Sequence, residues 1–253
     1  MFSFEISTPA EQRDLLSAEL WDLGCAGISE LDDGRLRVFF EEDAGEEEMR
    51  RRYPNAVFRP EEQRDWVASA REMLQPMLVG ARFFLVPEWR DDAAPPGRCR
   101  ISVNPGLAFG TGVHETTQLC LEALEEFLLP GMALLDVGTG SGILGEAATL
   151  LGAAKVFACD LDPVAVSIAK TRLPACFVGS ADGVRSAAAD LVIANISPEA
   201  ITGLADELMR VLRAAGILVV SGFEAHEVDW VSRSFPALEV RRKGNWAAGI
   251  IRK

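Results

Sequence analysis

From Met132 onward the chain alternates short aliphatic runs with amphipathic stretches, and no other feature restricts its fold as much. The aliphatic runs predict strands at 133–137, 155–159, 175–178, 190–194, 216–221, 238–242 and 247–251. Between them the pattern predicts helices at 142–151, 163–171, 198–212 and 224–234. Alternation of this kind, with strands apolar on both faces, implies a mainly parallel α/β sheet covered by helices on each side. The last two strands are separated only by Gly244-Asn245, a hairpin signal, so one strand should run antiparallel. A ligand of such a sheet lies beyond the carboxyl ends of its strands, where the strand order reverses.

The residues at those strand ends are therefore the candidates for chemistry. The first strand runs into Asp136-Val-Gly-Thr-Gly-Ser-Gly142, with Gly138, Gly140 and Gly142 inside five residues and a helix immediately behind. Such a turn adopts positive φ, lets a ligand approach the backbone, and presents helix N-terminal N–H groups to it. Asp160 ends the second strand, about 20 residues beyond the turn, where an acidic side chain holds a ribose hydroxyl pair. Asp162-Pro163 reads as the cap of the next helix. Ser180-Ala-Asp182 follows the third strand and Asn195 the fourth. Gly140-Ser-Gly-Ile-Leu-Gly145 also satisfies the dinucleotide pattern G-x-G-x-x-G, but the turn begins two residues earlier, at Gly138. That frame favours a nucleoside cofactor without a pyrophosphate, such as S-adenosylmethionine. Asp136 and the glycine backbone would receive its amino-acid portion and Asp160 its ribose. A nicotinamide dinucleotide remains the alternative.

The first 60 residues read differently. Strand patterns at 2–6, 26–31, 35–40 and 56–58 and helical ones around 8–24 and 46–52 give the order β-α-β-β-α-β of a small ferredoxin-like α+β module. Asp32-Asp33-Gly34 marks the central hairpin. A linker helix at 61–75, with Trp66, Met73 and Leu74 on its apolar face, leads towards a large domain at 81–253, the linker region being 61–80. Strands are expected at 83–86 and 100–103 around a loop at 91–97. A second glycine-rich stretch, Asn104-Pro-Gly-Leu-Ala-Phe-Gly-Thr-Gly-Val-His-Glu-Thr-Thr117, precedes a helix carrying Leu119, Leu121, Leu124 and Leu128. Its Phe109 counts with the glycine turn among the expected cofactor contacts, and His114 to Thr117 stand at the helix start, where polar side chains cap free N–H groups.

Charge and cysteine usage narrow the function classes. The net charge is −13, and residues 1–65 hold 17 acids against 8 bases, a net of −9. Nucleic-acid affinity rests on basic contacts, so a direct nucleic-acid partner is not expected, whereas a basic protein partner is. Five scattered cysteines without a C-x-x-C pair, and only two histidines, argue against a disulfide framework or a zinc site. No apolar run approaches a membrane span and no signal peptide is apparent, so a cytoplasmic, membrane-free monomer is expected.

Leu-Leu-Asp136-Val-Gly-Thr-Gly-Ser-Gly142, Asp160-Leu-Asp-Pro163 and Val192-Ile-Ala-Asn195-Ile196 resemble the successive motifs of class I S-adenosylmethionine-dependent methyltransferases. The longer loop 104–121 closely resembles the signature of the PrmA family, whose members methylate protein eleven of the large ribosomal subunit. The resemblance runs from about residue 61 to the end. It implies a Rossmann-like seven-stranded methyltransferase sheet behind a small substrate-recognition domain and a linker helix. It places Thr117, Gly138, Asp160 and Asn195 at S-adenosylmethionine contacts. It also implies transfer of methyl groups to lysine ε-amino groups and to the substrate's N-terminal α-amino group, the activity of a protein-lysine N-methyltransferase. In two places the chain departs from the family. Ala70 stands where many members have a second Trp, and the segment from Asp160 to Gly179 is shortened.

For such a transfer the amine must arrive deprotonated, with its lone pair aligned to the methyl–sulfur bond. Asn195 is the candidate for orienting the amine, and His114 is either a proton acceptor or a loop-positioning group. Asn195-Ile-Ser-Pro198 also resembles the Asn-Pro-Pro-aromatic turn of enzymes methylating nucleobase or amide nitrogens, but its fourth position holds no aromatic ring to stack on a base. The remaining alternatives are a methyltransferase for another protein or small molecule, a nicotinamide-dependent oxidoreductase, and a non-catalytic cofactor-binding protein.

Overall fold

The computed structural model describes residues 2–9, 13–25, 27–31, 35–40, 46–60, 75–104 and 114–253. The expected linker helix with Trp66 and Ala70, the hairpin turn 32–34, and loop residues 105–113 with Phe109 lie outside them. The chain divides into two compact units, Met1–Met73 and Leu74–Lys253.

The first unit is built on an antiparallel sheet of β1 (Phe2–Ile6), β2 (Gly27–Glu30), β3 (Leu36–Phe40) and β4 (Val57–Pro60), with α1 (Arg13–Asp22) and α2 (Glu46–Arg52). The strand order is β2-β3-β1-β4, the arrangement in which two interleaved β-α-β units share one sheet. Alternation along β1 sends Phe2 and Phe4 into an aromatic core. There Phe4 lies 5.7 Å from Phe40, 5.4 Å from Tyr53 and 5.0 Å from Phe58. The opposite face carries Ser3 and Glu5, both buried. Glu5 accepts from Arg35 at 2.7 Å and has Arg59 at 3.5 Å, while Arg37 donates to Ser3. The unit is acidic in sum, yet arginines border this sheet face.

In the second unit seven strands form the main sheet: β8 (Ala133–Val137), β9 (Lys155–Asp160), β10 (Cys176–Val178), β11 (Ala189–Asn195), β12 (Leu212–Glu224), β13 (Glu239–Lys243) and β14 (Trp246–Arg252). Their order is β10-β9-β8-β11-β12-β14-β13. β10 to β12 pair in parallel, and β14 is the antiparallel strand between β12 and β13. The order reverses between β8 and β11. Both faces of the central strands β8, β11, β12 and β14 are largely buried, as the continuous aliphatic runs require. Leu134, Leu191, Ile193 and Val219 pack with α3 (Glu115–Phe127) and α4 (Ile143–Leu150). Their neighbours Leu135, Val192, Leu218 and Val220 face the other layer, where α6 (Pro198–Gly203), α7 (Ala205–Val211) and α8 (Val228–Ser232) supply Ile201, Leu208 and Val231. Each such side chain, fully buried, contributes about 1.5–3 kcal/mol. The remaining helix, α5 (Pro163–Ala169), follows β9.

Four expectations are corrected here. Residues 77–79, assigned to the linker, form β5, which pairs antiparallel with β6 (Phe83–Pro87); β6 pairs in parallel with β7 (Cys99–Val103). This separate sheet is packed on α3, where the Glu125 carboxylate accepts the N–H groups of Ala81 and Arg82 at 2.8 and 2.7 Å. The helix expected at 198–212 is split at Leu204, whose ψ of 4° leaves the α region. The helix expected at 224–234 shortens to α8, because the Glu227 carboxylate accepts the Glu224 N–H and holds a turn instead. The strand expected from 216 starts at Leu212, with a register slip before Ile217 and a positive φ of 59° at Ala215. A bulge of this kind leaves no periodic trace in sequence.

Candidate functional site

The turn leaving β8 is fixed by its backbone. Gly138 and Thr139 both donate to the Cys159 carbonyl, at 2.9 and 3.0 Å, and Gly138, Gly140 and Gly142 take φ values of 72°, 52° and 82°. Side chains are excluded by crowding as well as by φ. A Cβ at Gly138 would stand 2.1 Å from the Ile196 side chain, and one at Gly142 would press on Ala169 at 3.2 Å. Gly145 lies inside α4, where a Cβ would meet Leu173 at 2.4 Å. The third glycine of the apparent dinucleotide pattern therefore serves helix packing, and the turn between strand and helix is the one framed by Gly138.

Asp136 is fully buried beneath this turn. Thr139 donates to its Oδ2 at 2.7 Å, while Oδ1 has no hydrogen-bond partner among the described residues. Burial pushes its carboxyl up to about 6, with the Asp160 charge adding to the rise, against the opposing pull of the Thr139 hydroxyl and the nearby Gly145 N–H. An oxygen in this state has room for one more donor, and a cation there would draw the carboxyl back to its ionised form. Asp160, on the neighbouring strand end, has a different environment. Its Oδ2 accepts from Gly140 N at 2.9 Å and its Oδ1 from Asp162 N at 3.0 Å, which aims the carboxylate along the glycine turn. Asp162 is the N-cap of α5, accepting from Val164 N at 2.8 Å. Asp182 is exposed and accepts from Gly183 N in a 3-10 turn.

On the other side of the switch point, β11 pairs with β8 so that Ala194 stands opposite Val137, which puts Asn195 level with Gly138. Asn195 Nδ2 donates to Thr117 Oγ1 at 3.4 Å, joining the end of β11 to the first turn of α3 across 78 residues of sequence. Thr117 itself is buried. His114 caps α3: the Thr116 N–H donates to His114 Nδ1, Thr116 Oγ1 lies 2.8 Å from the same nitrogen, and the ring meets Trp246 edge-on at 4.5 Å. An imidazole that accepts on Nδ1 carries its proton on Nε2 when neutral. Gly138, Asp160, Thr117 and Asn195 are thus gathered at one edge of the sheet with Asp136 below. The glycines of the second loop and Phe109 lie outside the described residues.

Two contributors escaped sequence reasoning. Gly222, with φ 104°, leaves space for Ile196, whose carbonyl oxygen would stand 2.1 Å from a Cβ there. The turn after Asn195 is therefore gripped between Gly138 and Gly222. The available signal was a glycine directly after the apolar run ending at Ser221. Leu161, beside Asp160, is 75 % exposed, an apolar side chain at the same edge. Among the described residues no helix is long and apolar enough to cross a membrane, and no cluster of metal-ligating side chains occurs.

Against known proteins, residues 42–253 match the family model described as ribosomal protein L11 methyltransferase (PrmA). A ribosomal protein L11 methyltransferase of Pelobacter propionicus is 37 % identical over 219 residues, 79 % of this chain and 70 % of the relative. One from Desulfosudis oleivorans is 44 % identical over 176 residues, 65 % of this chain but only 58 % of its own length. One from Caldicellulosiruptor saccharolyticus is 31 % identical with 100 % and 99 % covered. The crystal structure of a ribosomal protein L11 methylase from Lactobacillus delbrueckii subsp. bulgaricus superposes with a TM-score of 0.64 at 27 % identity, covering 71 % of this chain and 98 % of that one.

Proposed function

Because the chain belongs to the ribosomal protein L11 methyltransferase family, we propose that it transfers methyl groups from S-adenosylmethionine to amino groups of ribosomal protein L11, the lysine ε-amines and the N-terminal α-amine. The observation that carries this reading is the Asn195–Thr117 pair, level with Gly138 at the switch point of the sheet. It sets an amide beside the turn that would hold the donor.

The residues present fit the donor. Gly138, Gly140 and Gly142 form a turn of positive-φ backbone, free of side chains, for its amino-acid portion, and Asp136 has an oxygen short of one hydrogen-bond donor, which an ammonium group supplies directly or through water. Asp160 keeps lone pairs for ribose hydroxyls beyond the two N–H groups it already accepts. When bound, S-adenosylmethionine supplies a methyl group activated by its sulfonium. The work left to the chain is orientation and exclusion of water. With Nδ2 committed to Thr117, Asn195 has its Oδ1 to accept an N–H of the incoming amine and point the nitrogen's lone pair. A free lysine titrates near about 10.4, and transfer to a low-dielectric cleft lowers that value and favours the neutral nucleophile. His114 acts as a positioning group, since its Nδ1 already accepts the Thr116 N–H.

The acidic first unit suits a basic ribosomal protein, and substrate recognition is assigned to it. Pro198 opens α6 at the fourth position of the Asn195 turn and offers no ring for a flipped base, which favours protein over nucleic acid as the acceptor. The decisive experiment incubates the protein with methyl-labelled S-adenosylmethionine and purified large-subunit ribosomal proteins. Label is expected on protein L11, at lysines and the N-terminus by mass spectrometry. Label confined to RNA, to a small molecule or to a different protein would overturn the assignment.

A further inference from the structure

β8, β9 and β10 lie side by side, so the turns that follow them succeed one another along the carboxyl edge of the sheet. The glycine turn follows β8 and Asp160 closes β9. The third turn begins at Gly179, whose N–H donates to the Asp160 carbonyl at 2.9 Å. A nucleoside with its ribose on Asp160 and its amino-acid end on the glycine turn has its base over this third turn. That inference rests on the cofactor placement proposed above.

The third turn has little internal structure. It follows a strand of three residues and contains a single 3-10 turn, Ala181–Gly183. Arg210, near the end of α7, holds it. The guanidinium Nη2 donates to the carbonyls of Val184 at 2.7 Å and Ala181 at 3.1 Å, with the Asp182 carbonyl at 3.5 Å. Nη1 donates to Ser186 Oγ at 3.1 Å, and Nε to Glu207 at 2.6 Å, which fixes the fork itself. One planar group thereby sets the direction of successive peptide units, a task a lysine ammonium cannot reproduce. Fixing those carbonyls also fixes the N–H groups between them and the base of the Asp182 side chain. Nothing else on α7 has a part in the site, so neither motif nor spacing draws attention to this arginine.

We propose that Arg210 is a positioning residue for the cofactor's base: by gripping the carbonyls of the Ala181–Val184 turn it sets the shape that distinguishes adenine from other purines, without touching the cofactor. Loosening the turn leaves only a fraction of molecules ready to bind, and apparent affinity falls by that fraction.

The test is calorimetric titration of the full chain with S-adenosylhomocysteine and with its 6-oxo analogue, S-inosylhomocysteine. It compares the wild type with Arg210→Gln, Arg210→Lys and Asp160→Ala, and records the melting temperature of each. Arg210→Gln is expected to weaken S-adenosylhomocysteine about tenfold, a competent fraction near one tenth, and to bring the adenine-to-hypoxanthine affinity ratio towards one. Arg210→Lys should fall between, and it reads the same ratio should the glutamine variant not fold. In turnover, KM for S-adenosylmethionine should rise while kcat at saturation stays within about twofold, as for loss of an interaction shared by ground and transition states. A merely structural arginine would lower the melting temperature and leave the purine ratio unchanged, and that result overturns the proposal. Wild-type affinity in Asp160→Ala would remove the nucleoside from this edge and overturn the proposal together with the placement.

Discussion

The two edges of the main sheet treat a carboxylate in opposite ways. At the amino edge, Asp190 begins β11 and is fully engaged. Ala133 N donates to it at 2.8 Å, and Arg213 reaches both oxygens at 2.7 Å. Burial pushes its carboxyl up, but those partners prevail and hold it below the usual range. At the carboxyl edge, Asp136 in the adjoining strand is deeper, has among the described residues no cation and no hydrogen-bond partner for one oxygen, and is pushed up to about 6. The first edge is complete in the free protein. The second, on the placement proposed above, is completed by the cofactor.

Changes at the two edges should therefore separate stability from activity. The largest effect is expected for Asn195→Ala: kcat should fall by about 10²-fold or more, roughly 3 kcal/mol, with S-adenosylhomocysteine affinity within about twofold of wild type. Single-turnover methylation and calorimetry together would show it, and unchanged turnover would remove Asn195 from the reaction. At the other edge, Asp190→Ala should cost about 2 kcal/mol in urea unfolding, since it strips Ala133 N of its acceptor and leaves Arg213 with only the Ala187 carbonyl. Specific activity of the folded fraction should be retained; a loss of kcat would blur the division between the edges.

The third effect is a pH dependence confined to the carboxyl edge. The folded carboxyl of Asp136 titrates above its unfolded value. Its contribution to stability is therefore complete below pH ~4 and is lost as the pH rises through about 6. On the proposed placement cofactor binding should have the reverse dependence, because an ammonium ligand selects the ionised form. Affinity should be level above pH 7 and about tenfold weaker at pH 5, by the one-decade-per-unit rule. Asp136→Asn should abolish that slope, and persistence of the slope would assign it to another group. The smallest effect belongs to Asp162→Ala, which removes the α5 cap at a cost of about 1 kcal/mol with little change in kcat.

Much of this arrangement was legible in the residues. The aliphatic runs, apolar on both faces, led to the buried parallel strands, and Gly138 with Asp160 marked the edge at which the strand order reverses. Asp162-Pro163 declared itself as a cap because side chain, backbone N–H and proline lie within three residues. Contacts that close across long stretches of chain were not legible. The Asn195–Thr117 bond spans 78 residues, Gly222 matters only once Ile196 has folded against it, and Arg210 reads as one more surface base on an amphipathic helix. β5 is too short for alternation to register, and the slip in β12 depends on its partner strand. The resemblance to a known family singled out Thr117 and Asn195, which physical pattern alone left as polar residues at a helix start and a strand end, and the structure brings the two together.

The bond between Glu125 and the turn before β6 has a consequence for how this chain can vary. α3 carries Thr117 near one end and Glu125 near the other, eight positions apart, each committed to a fixed partner in a different sheet. An α-helix turns about 100° per residue, so inserting or deleting one residue between them would swing one partner off its target. α3 is thus a ruler with two marks. Length changes that loops elsewhere absorb freely should be barred from it, and related sequences should align through 117–125 without a gap.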